Sequence, residues 1–197
     1  AIAFEARLSE VVGRRLDAFP THMGESIRPV VEAHVDALHA EVVASLAELD
    51  PWFPWCHEGY ERTEMAEFVR RARRARERGL EYHFAIQDAA DGRVLGSVGL
   101  RIDGYDPAVG ELGYWVATAE TGRGVATRSA RLLAAWALGE VGLERVEILA
   151  AVTNERSRAV ARAAGAHEEG VARSRIVLGD GRRADATVHA IVRGDLA

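Results

Sequence analysis

The sequence has few of the features that stabilise or anchor proteins outside the cytoplasm. Its 197 residues include one cysteine, Cys56, so no disulfide can form within the chain. The apolar run at residues 132–138 is far shorter than the roughly 18 residues that a membrane-spanning helix needs. Charges at Glu5, Arg7 and Glu10 leave no signal-peptide pattern in the first residues. We therefore expect a cytoplasmic protein that does not contact a membrane.

A strong charge of one sign is also missing. The 25 basic and 30 acidic residues give a net charge of −5, which gives no reason to expect a nucleic-acid partner. No His, Cys or Asp cluster has metal-ligand spacing and Cys56 has no dyad partner, so we predict neither a metal site nor covalent catalysis. The length fits one domain, predicted over residues 26–197 and preceded by an extension over residues 1–25.

Hydrophobic periodicity predicts an α/β fold with a mixed sheet. Thr63 and Asn154 are predicted helix N-caps, and Gly79, Gly142 and Gly165 are predicted helix ends. The strands next to the crossing helix in residues 111–152 are expected to be parallel. Predicted strands cover 26–30, 82–87, 94–102, 111–117, 145–152, 171–179 and 185–193, and predicted helices cover 31–49, 63–80, 125–141 and 154–165.

A glycine-rich segment stands directly before the longest apolar helix. Glycines let a phosphate approach the backbone, and the start of a helix offers unpaired N–H groups and a positive dipole end. The segment lacks the Lys-Ser/Thr pair of a P-loop and the third glycine of a dinucleotide fingerprint. A pyrophosphate site with a mobile Arg123 and a plain tight turn both remain open. The residues are Gly122, Arg123, Gly124, Val125, Ala126 and Thr127.

The order of motifs resembles a known superfamily. "ELGYWV" (111–116), the glycine loop, a helix, a β run and "NERSRAVARAAGAHEEG" (154–170) resemble the GNAT acyl-CoA-dependent N-acyltransferases, above all the RimJ/RimL-type ribosomal-protein N-terminal acetyltransferases. The resemblance covers residues 26–193, and "LDPWFPW" (49–55) lies where this branch carries a tryptophan-containing loop. It implies a mixed, mostly antiparallel, six- to seven-stranded sheet with splayed central parallel strands and about four flanking helices.

The resemblance implies acetyl-CoA as the cofactor, with coenzyme A as product. The glycine loop would hold the pyrophosphate, the backbone of strand 114–118 would pair with the pantetheine arm, and the thioester would lie between the splayed strands. The superfamily usually has Gln or Arg where this chain has Thr121, whose hydroxyl can still donate. The cofactor-binding residues implied are Tyr114, Val116, Thr118, Gly122, Arg123, Gly124, Val125, Ala126, Thr127, Asn154 and Ser157.

Acyl transfer needs a neutral amine, a polarised carbonyl and a protonated leaving sulfur. An α-amine has a pKa of about 7.7–8.0 against about 10.4 for lysine, so an α-amine needs only a weak base. The backbone N–H of Val116 could polarise the carbonyl. Ser157 is predicted to protonate the thiolate, although it could be a plain serine in the first turn of a helix. Asn154 could serve both as an N-cap and as a pantetheine contact.

The general base is less determined by the sequence. The glutamate that RimL-type proteins carry in the penultimate strand corresponds here to Ile176, so that base is missing. Glu111, at the start of the strand beside the cofactor, is the favoured replacement, and the alternative is a solvent-facing carboxylate. His83 is the rival base, and a lone histidine on a strand is more often structural.

The acceptor is predicted to bind near the tryptophan-containing loop, at Trp52, Trp55 and His83, although the loop aromatics could instead fill the core. The amine acceptor would be a protein N-terminus, such as that of a ribosomal protein, or a small molecule in detoxification or antibiotic modification. The missing glutamate leaves open a degenerate domain that only binds acyl-CoA. A homodimer is possible.

Overall fold

The computed structural model of the protein describes residues 21–22, 25–102 and 104–196. The described residues form one sheet with strand order β1-β2-β3-β4-β5-β6-β8-β7. Every neighbouring pair is antiparallel except β5 and β6, which are parallel. The strands are β1 (Thr21–His22), β2 (Glu25–Pro29), β3 (Glu81–Asp88), β4 (Val94–Arg101), β5 (Val109–Val116), β6 (Arg145–Ala151), β7 (His167–Val177) and β8 (Arg183–Val192).

The sheet confirms the predicted mixed α/β class and the parallel central pair. Beyond the expected six or seven strands it has the two-residue β1 at its edge. Most of the predicted extension, residues 1–20 and 23–24, lies outside the described residues. Because β1 and Glu25 belong to the sheet, strand structure starts before residue 26.

Helices flank the sheet on both faces. A 3₁₀ turn, Glu32–His34, precedes the first helix, and a π turn, Ala137–Val141, continues the fourth to Gly142. Within the described part of the chain, each helix is too short or too polar to cross a membrane. The helices are α1 (Val35–Ala44), α2 (Leu46–Leu49), α3 (Arg62–Glu77), α4 (Val125–Trp136) and α5 (Glu155–Ala163).

The single helix predicted over 31–49 is wrong at Ser45, where α1 ends and α2 begins. Ser45 is buried, and its hydroxyl accepts a hydrogen bond from the Thr118 N–H at 2.9 Å. Serine side chains that bond to backbone groups compete with helical hydrogen bonds. The break therefore depends on a partner 73 residues away in sequence.

The N-cap predicted for α3 is also wrong. Glu61 occupies the N-cap, and its N–H donates to the Glu64 carboxylate at 2.8 Å. The hydroxyl of Thr63 donates instead to the Glu61 carboxylate at 3.1 Å. The predicted end at Gly79 is confirmed, since this residue follows the C-cap with a φ of 72°.

Two hydrophobic cores lie on opposite faces of the sheet. One packs Tyr82 and Phe84 of β3 with Leu133 of α4, and the other packs α1 and α3 through residues such as Leu38 and Val69. Successive residues of a strand point to opposite faces. His83, between Tyr82 and Phe84, therefore points to the face of the sheet that α1 and α3 cover.

The two central strands separate after a short contact. They pair only over residues 109–111 of β5 and 145–147 of β6, although β5 continues to Val116 and β6 to Ala151. Beyond these pairs each strand bonds only to its outer neighbour, β4 or β8. The result is a wedge-shaped gap in the middle of the sheet, as the GNAT resemblance implied.

Candidate active site

The glycine loop has the backbone that its sequence predicts. Gly122 and Gly124 have φ values of 76° and 79°, in the left-handed region that favours glycine. Gly124 is the N-cap of α4 and no side chain caps this helix, so its first N–H groups are left for another acceptor. A Cβ at Gly124 would lie 2.6 Å from Nη1 of Arg128. The guanidinium of Arg128 therefore lies beside Gly124, a neighbour that the sequence pattern did not indicate.

Arg123 forms an ion pair within the loop region. Its guanidinium pairs with the carboxylate of Glu120, whose other oxygen accepts from Arg93 at 2.7 Å. The Glu120 side chain is only 5% exposed, so two guanidinium groups neutralise a buried charge. The hydroxyl of Thr121 donates to the Thr118 carbonyl at 2.8 Å, so its proton is already used within the protein.

The free edge of β5 faces the gap. The Ala117 N–H donates to the Leu95 carbonyl of β4 at 2.8 Å. Peptide groups alternate between the two edges of an antiparallel strand, so those of Tyr114 and Val116 point toward β6. Both residues were predicted to contact pantetheine through the backbone, and this orientation suits that role.

Thr118 does not share this orientation. Its N–H donates to Ser45, and its hydroxyl donates to Glu48 at 3.0 Å. Its carbonyl accepts from Thr121. Both hydrogen-bond donors of Thr118 are therefore already used within the protein, so neither is left for the predicted contact with pantetheine.

A hydrogen bond crosses the gap from β5 to α5. The Tyr114 hydroxyl donates to the Ser157 carbonyl at 2.9 Å and lies 3.2 Å from the Ser157 hydroxyl. Burial raises the pKa of Tyr114 to about 12, so this hydroxyl keeps its proton. Asn154 is confirmed as the N-cap of α5, since its side chain accepts from the Ser157 N–H at 3.0 Å. The predicted donor to the sulfur is thus rigidly placed beside Tyr114.

A cavity of about 640 Å³ opens on the face of the sheet that α1 and α3 cover. Predicted site residues Trp55, His83, Glu111 and Tyr114 line it, whereas Trp52 does not. The other lining residues are Leu38, Phe53, Pro54, His57, Tyr60, Glu64, Met65, Glu67, Phe68, Arg71, Glu81, Ser97, Gly99, Leu100, Arg101, Gly113 and Trp115.

One end of the cavity is aromatic. The ring of Trp55 lies 6.4 Å from that of Trp115, 5.9 Å from Tyr60 and 5.3 Å from Phe53. Phe53 and Trp115 also pack against the core of α1 and α3, while Trp55 remains 39% exposed. The loop therefore both fills the core and lines the cavity.

The other end of the cavity is charged. Glu111 pairs with Arg101 at 3.1 Å and with Arg175 of β7 at 3.6 Å. His83 lies 2.8 Å from the Glu81 carboxylate. Ile176, where the family glutamate would stand, does not line the cavity. The charged end thus offers Glu111 and the His83–Glu81 pair as proton acceptors.

Two observations bear on other chemistries. Cys56 is buried, and burial followed by the charge of Asp50 raises its pKa to about 11, so the thiol stays protonated at neutral pH. Among residues 21–22, 25–102 and 104–196, no group of three His, Cys, Asp or Glu side chains is placed to hold a metal ion.

The hairpin of β7 and β8 reaches across the gap. Near its tip, the Gly179 N–H donates to the Pro51 carbonyl at 3.2 Å, and a side chain at Gly179 would overlap the Asp50 carbonyl. Arg175 of the same hairpin contacts Glu111. The loop after α2 and the strand β5 are therefore tied to the far half of the sheet.

Comparisons with known proteins agree with this architecture. RimL, a ribosomal L7/L12 alpha-N-protein acetyltransferase in complex with coenzyme A, superimposes with a TM-score of 0.79 at 23% identity, covering 88% of this chain and 97% of RimL. Mycobacterium smegmatis RimJ in complex with CoA-disulfide gives a TM-score of 0.78 at 26% identity, covering 87% and 83%.

Sequence comparison identifies the family. The chain is 35% identical over 120 residues to the Bacillus subtilis protein named probable N-acetyltransferase YjcK, and these span 60% of this chain and 66% of that relative. The alignment thus spans slightly less than two thirds of the relative. The model of the acetyltransferase (GNAT) domain matches residues 26–167. The chain therefore belongs to the GNAT acetyltransferase domain family.

Proposed function

We propose that this protein is an acetyl-CoA-dependent N-acetyltransferase that acts on an amine, with a protein N-terminal α-amine as its acceptor. The observation that carries the proposal is the position of Tyr114. Tyr114 lines the acceptor-sized cavity, while its side chain packs with the core on the α4 face and its hydroxyl crosses the gap to Ser157. The gap, in turn, leads from the cavity toward the glycine loop before α4. One route therefore connects a phosphate-binding loop to an amine-binding cavity.

The residues present fit acetyl-CoA. The uncapped start of α4 and the bare Gly124 suit its diphosphate, with Arg123 and Arg128 as nearby cations. The peptide groups of Tyr114 and Val116 at the free edge of β5 suit its pantetheine arm, and the predicted contact from Asn154 lies across the gap. When bound there, acetyl-CoA supplies the acetyl group as an activated thioester.

Residues of the chain supply the electrostatic part of the reaction. The N–H of Val116 points into the gap and would donate to the developing negative charge on the carbonyl oxygen. The single proton of Tyr114 is directed at the Ser157 carbonyl, so Ser157 is the donor in the 3.2 Å contact between the two hydroxyls and would turn its proton to the departing sulfur. A hydrogen bond from Ser157 would stabilise the negative charge that develops on the sulfur.

Amine chemistry and the structural neighbours support the proposed acceptor class. At neutral pH roughly a tenth of α-amines are uncharged, against well under a thousandth of lysine amines. RimL is named for acetylating a ribosomal-protein α-amine. A small-molecule amine is the second candidate, because a cavity of about 640 Å³ lies within the usual range for small ligands.

Release of coenzyme A thiol, measured with a panel of amines, tests the proposed function. The sequence contains no lysine, so the enzyme's own side chains offer no competing amine. Turnover with ribosomal-protein N-terminal peptides supports the proposal, and turnover with small free amines alone supports the second candidate. Tight coenzyme A binding without any turnover would instead indicate a degenerate acyl-CoA-binding domain.

Trp55→Ala should raise KM for the acceptor about tenfold and leave the Kd for acetyl-CoA unchanged. Trp55 contributes a partly exposed ring to the aromatic end of the cavity and is not itself a member of either hydrophobic core. Steady-state kinetics and calorimetry separate the two effects. Trp52→Ala, on the same loop but outside the cavity, tests the sequence prediction for Trp52. An equal rise in KM there would mean that the acceptor binds beyond the cavity.

A further inference from the structure

We infer that His83 is the general base that takes the proton from the acceptor amine, and that Glu81 is the residue that positions it. The inference rests on the proposed function and assigns its missing base.

The Glu81 contact fixes which ring nitrogen is basic. Nε2 of His83 lies 2.8 Å from Oε2 of Glu81. The hydrogen bond from His83 is the largest cause that holds the pKa of Glu81 below its usual range, so Glu81 is a carboxylate at neutral pH. A carboxylate only accepts, so the Nε2–H of His83 donates to it. The neutral ring then carries its lone pair on Nδ1.

Nδ1 lies over bare backbone. A Cβ added at Gly99 of β4 would lie 2.5 Å from Nδ1 of His83, so only glycine leaves room for this position of the ring. Nδ1 has no hydrogen-bond partner among the described residues of the chain. The basic nitrogen is therefore not used in a hydrogen bond within the fold, and His83 lines the cavity.

A strip without side chains leads from this nitrogen to the gap. His83, Gly99 and Gly113 are register partners on β3, β4 and β5, and all three line the cavity. A Cβ at Gly113 would meet nothing within 4 Å. Two steps between strands span about 10 Å, which accommodates an amine between His83 and the free edge of β5. The strip places the base on one side of the acceptor and the gap on the other.

Glu111 is placed differently. Its two carboxylate oxygens pair with Arg101 and Arg175, and Arg175 belongs to the hairpin that spans the gap. A proton accepted there would disrupt both ion pairs. We therefore assign Glu111 to holding the hairpin over the site rather than to proton transfer.

The cavity that His83 lines holds more acidic than basic side chains. Glu81 lies on its own strand, Arg101 on β4 and Glu111 on β5, and α3 adds Glu64, Glu67 and Arg71. The ring also packs edge-on against Phe68 of α3, with centroids 5.1 Å apart. Four glutamates and two arginines thus line the cavity with the proposed base.

His83→Gln should lower kcat about 100-fold, within the usual contribution of a general base, and leave the Kd for acetyl-CoA unchanged. With an α-amine acceptor, the pH profile of kcat/KM for the wild type should show two rises, one as the base loses its proton and one as the amine does. His83→Gln should lose only the lower rise. His83→Ala should regain activity with added imidazole. His167→Gln, at a 76% exposed histidine, should keep both rises.

Gly99→Ala keeps the histidine but places a methyl group against Nδ1, so it should lower kcat without removing the ring. Glu81→Gln should lower kcat less than His83→Gln, because the histidine remains but loses its carboxylate partner. A lower rise that persists in His83→Gln, or that disappears in Glu111→Gln or His57→Gln instead, would overturn the assignment. A wild type without turnover on any amine would contradict the proposed function itself.

Discussion

Gly124→Asp should abolish measurable binding of acetyl-CoA. The new carboxylate would stand at the start of α4, where the account places the diphosphate. Two like charges about 4 Å apart repel by about 4 kcal/mol at an effective dielectric constant of 20. The carboxylate would also attract Arg128, since a Cβ at Gly124 lies 2.6 Å from its guanidinium. Calorimetry should show an affinity at least about 100-fold weaker.

Gly92→Asp provides the matched control. Gly92 has a φ of 74°, close to that of Gly124, and a Cβ there meets nothing within 4 Å. Both variants therefore carry a similar backbone strain and the same charge, but only one lies at the proposed phosphate site. Unchanged affinity in Gly124→Asp, or an equal loss in Gly92→Asp, would refute the assignment of the loop.

Ser157→Ala should lower kcat roughly 30- to 100-fold while the Kd for acetyl-CoA changes less than about threefold. The hydroxyl is expected to act only as negative charge develops on sulfur, so its loss affects turnover more than ground-state binding. The fold should tolerate the change, because the Asn154 side chain accepts from the backbone N–H of residue 157, which alanine retains.

Two variants separate this role from a structural one. Tyr114→Phe removes the hydroxyl that holds Ser157, so it should lower kcat in the same direction by less than Ser157→Ala. Asn154→Ala removes the N-cap and should lower stability by about 1 kcal/mol without reproducing the full loss of turnover. Equal kcat values for Ser157→Ala and the wild type would remove Ser157 from the mechanism.

Features that depend on local patterns could be predicted from the sequence. The glycine loop, the N-cap at Asn154 and the strands on either side of α4 follow from residues close together in the chain. The separation of β5 and β6 is implied only by the resemblance to GNAT proteins, because no local sequence pattern indicates where two paired strands separate.

Features that depend on distant partners could not be predicted. The helix break at Ser45 needs the N–H of Thr118. Arg123 pairs with Glu120, which also pairs with Arg93. Nothing in the local sequence reports these pairings.

His83 illustrates a signal that was present but incomplete. In "EYHFAI" the spacing of two residues places Glu81 and His83 on the same face of a strand. The sequence could therefore indicate the pair. Its importance depends on Gly99 and Gly113 on the neighbouring strands, whose register only the fold reveals.

A crystal structure of the protein grown with coenzyme A tests the central claim most directly. We expect density for the diphosphate on the backbone N–H groups of residues 122–127, with the pantetheine arm along Tyr114 and Val116 and the sulfur beside Ser157. Coenzyme A bound at another surface, with an empty gap between β5 and β6, would contradict it.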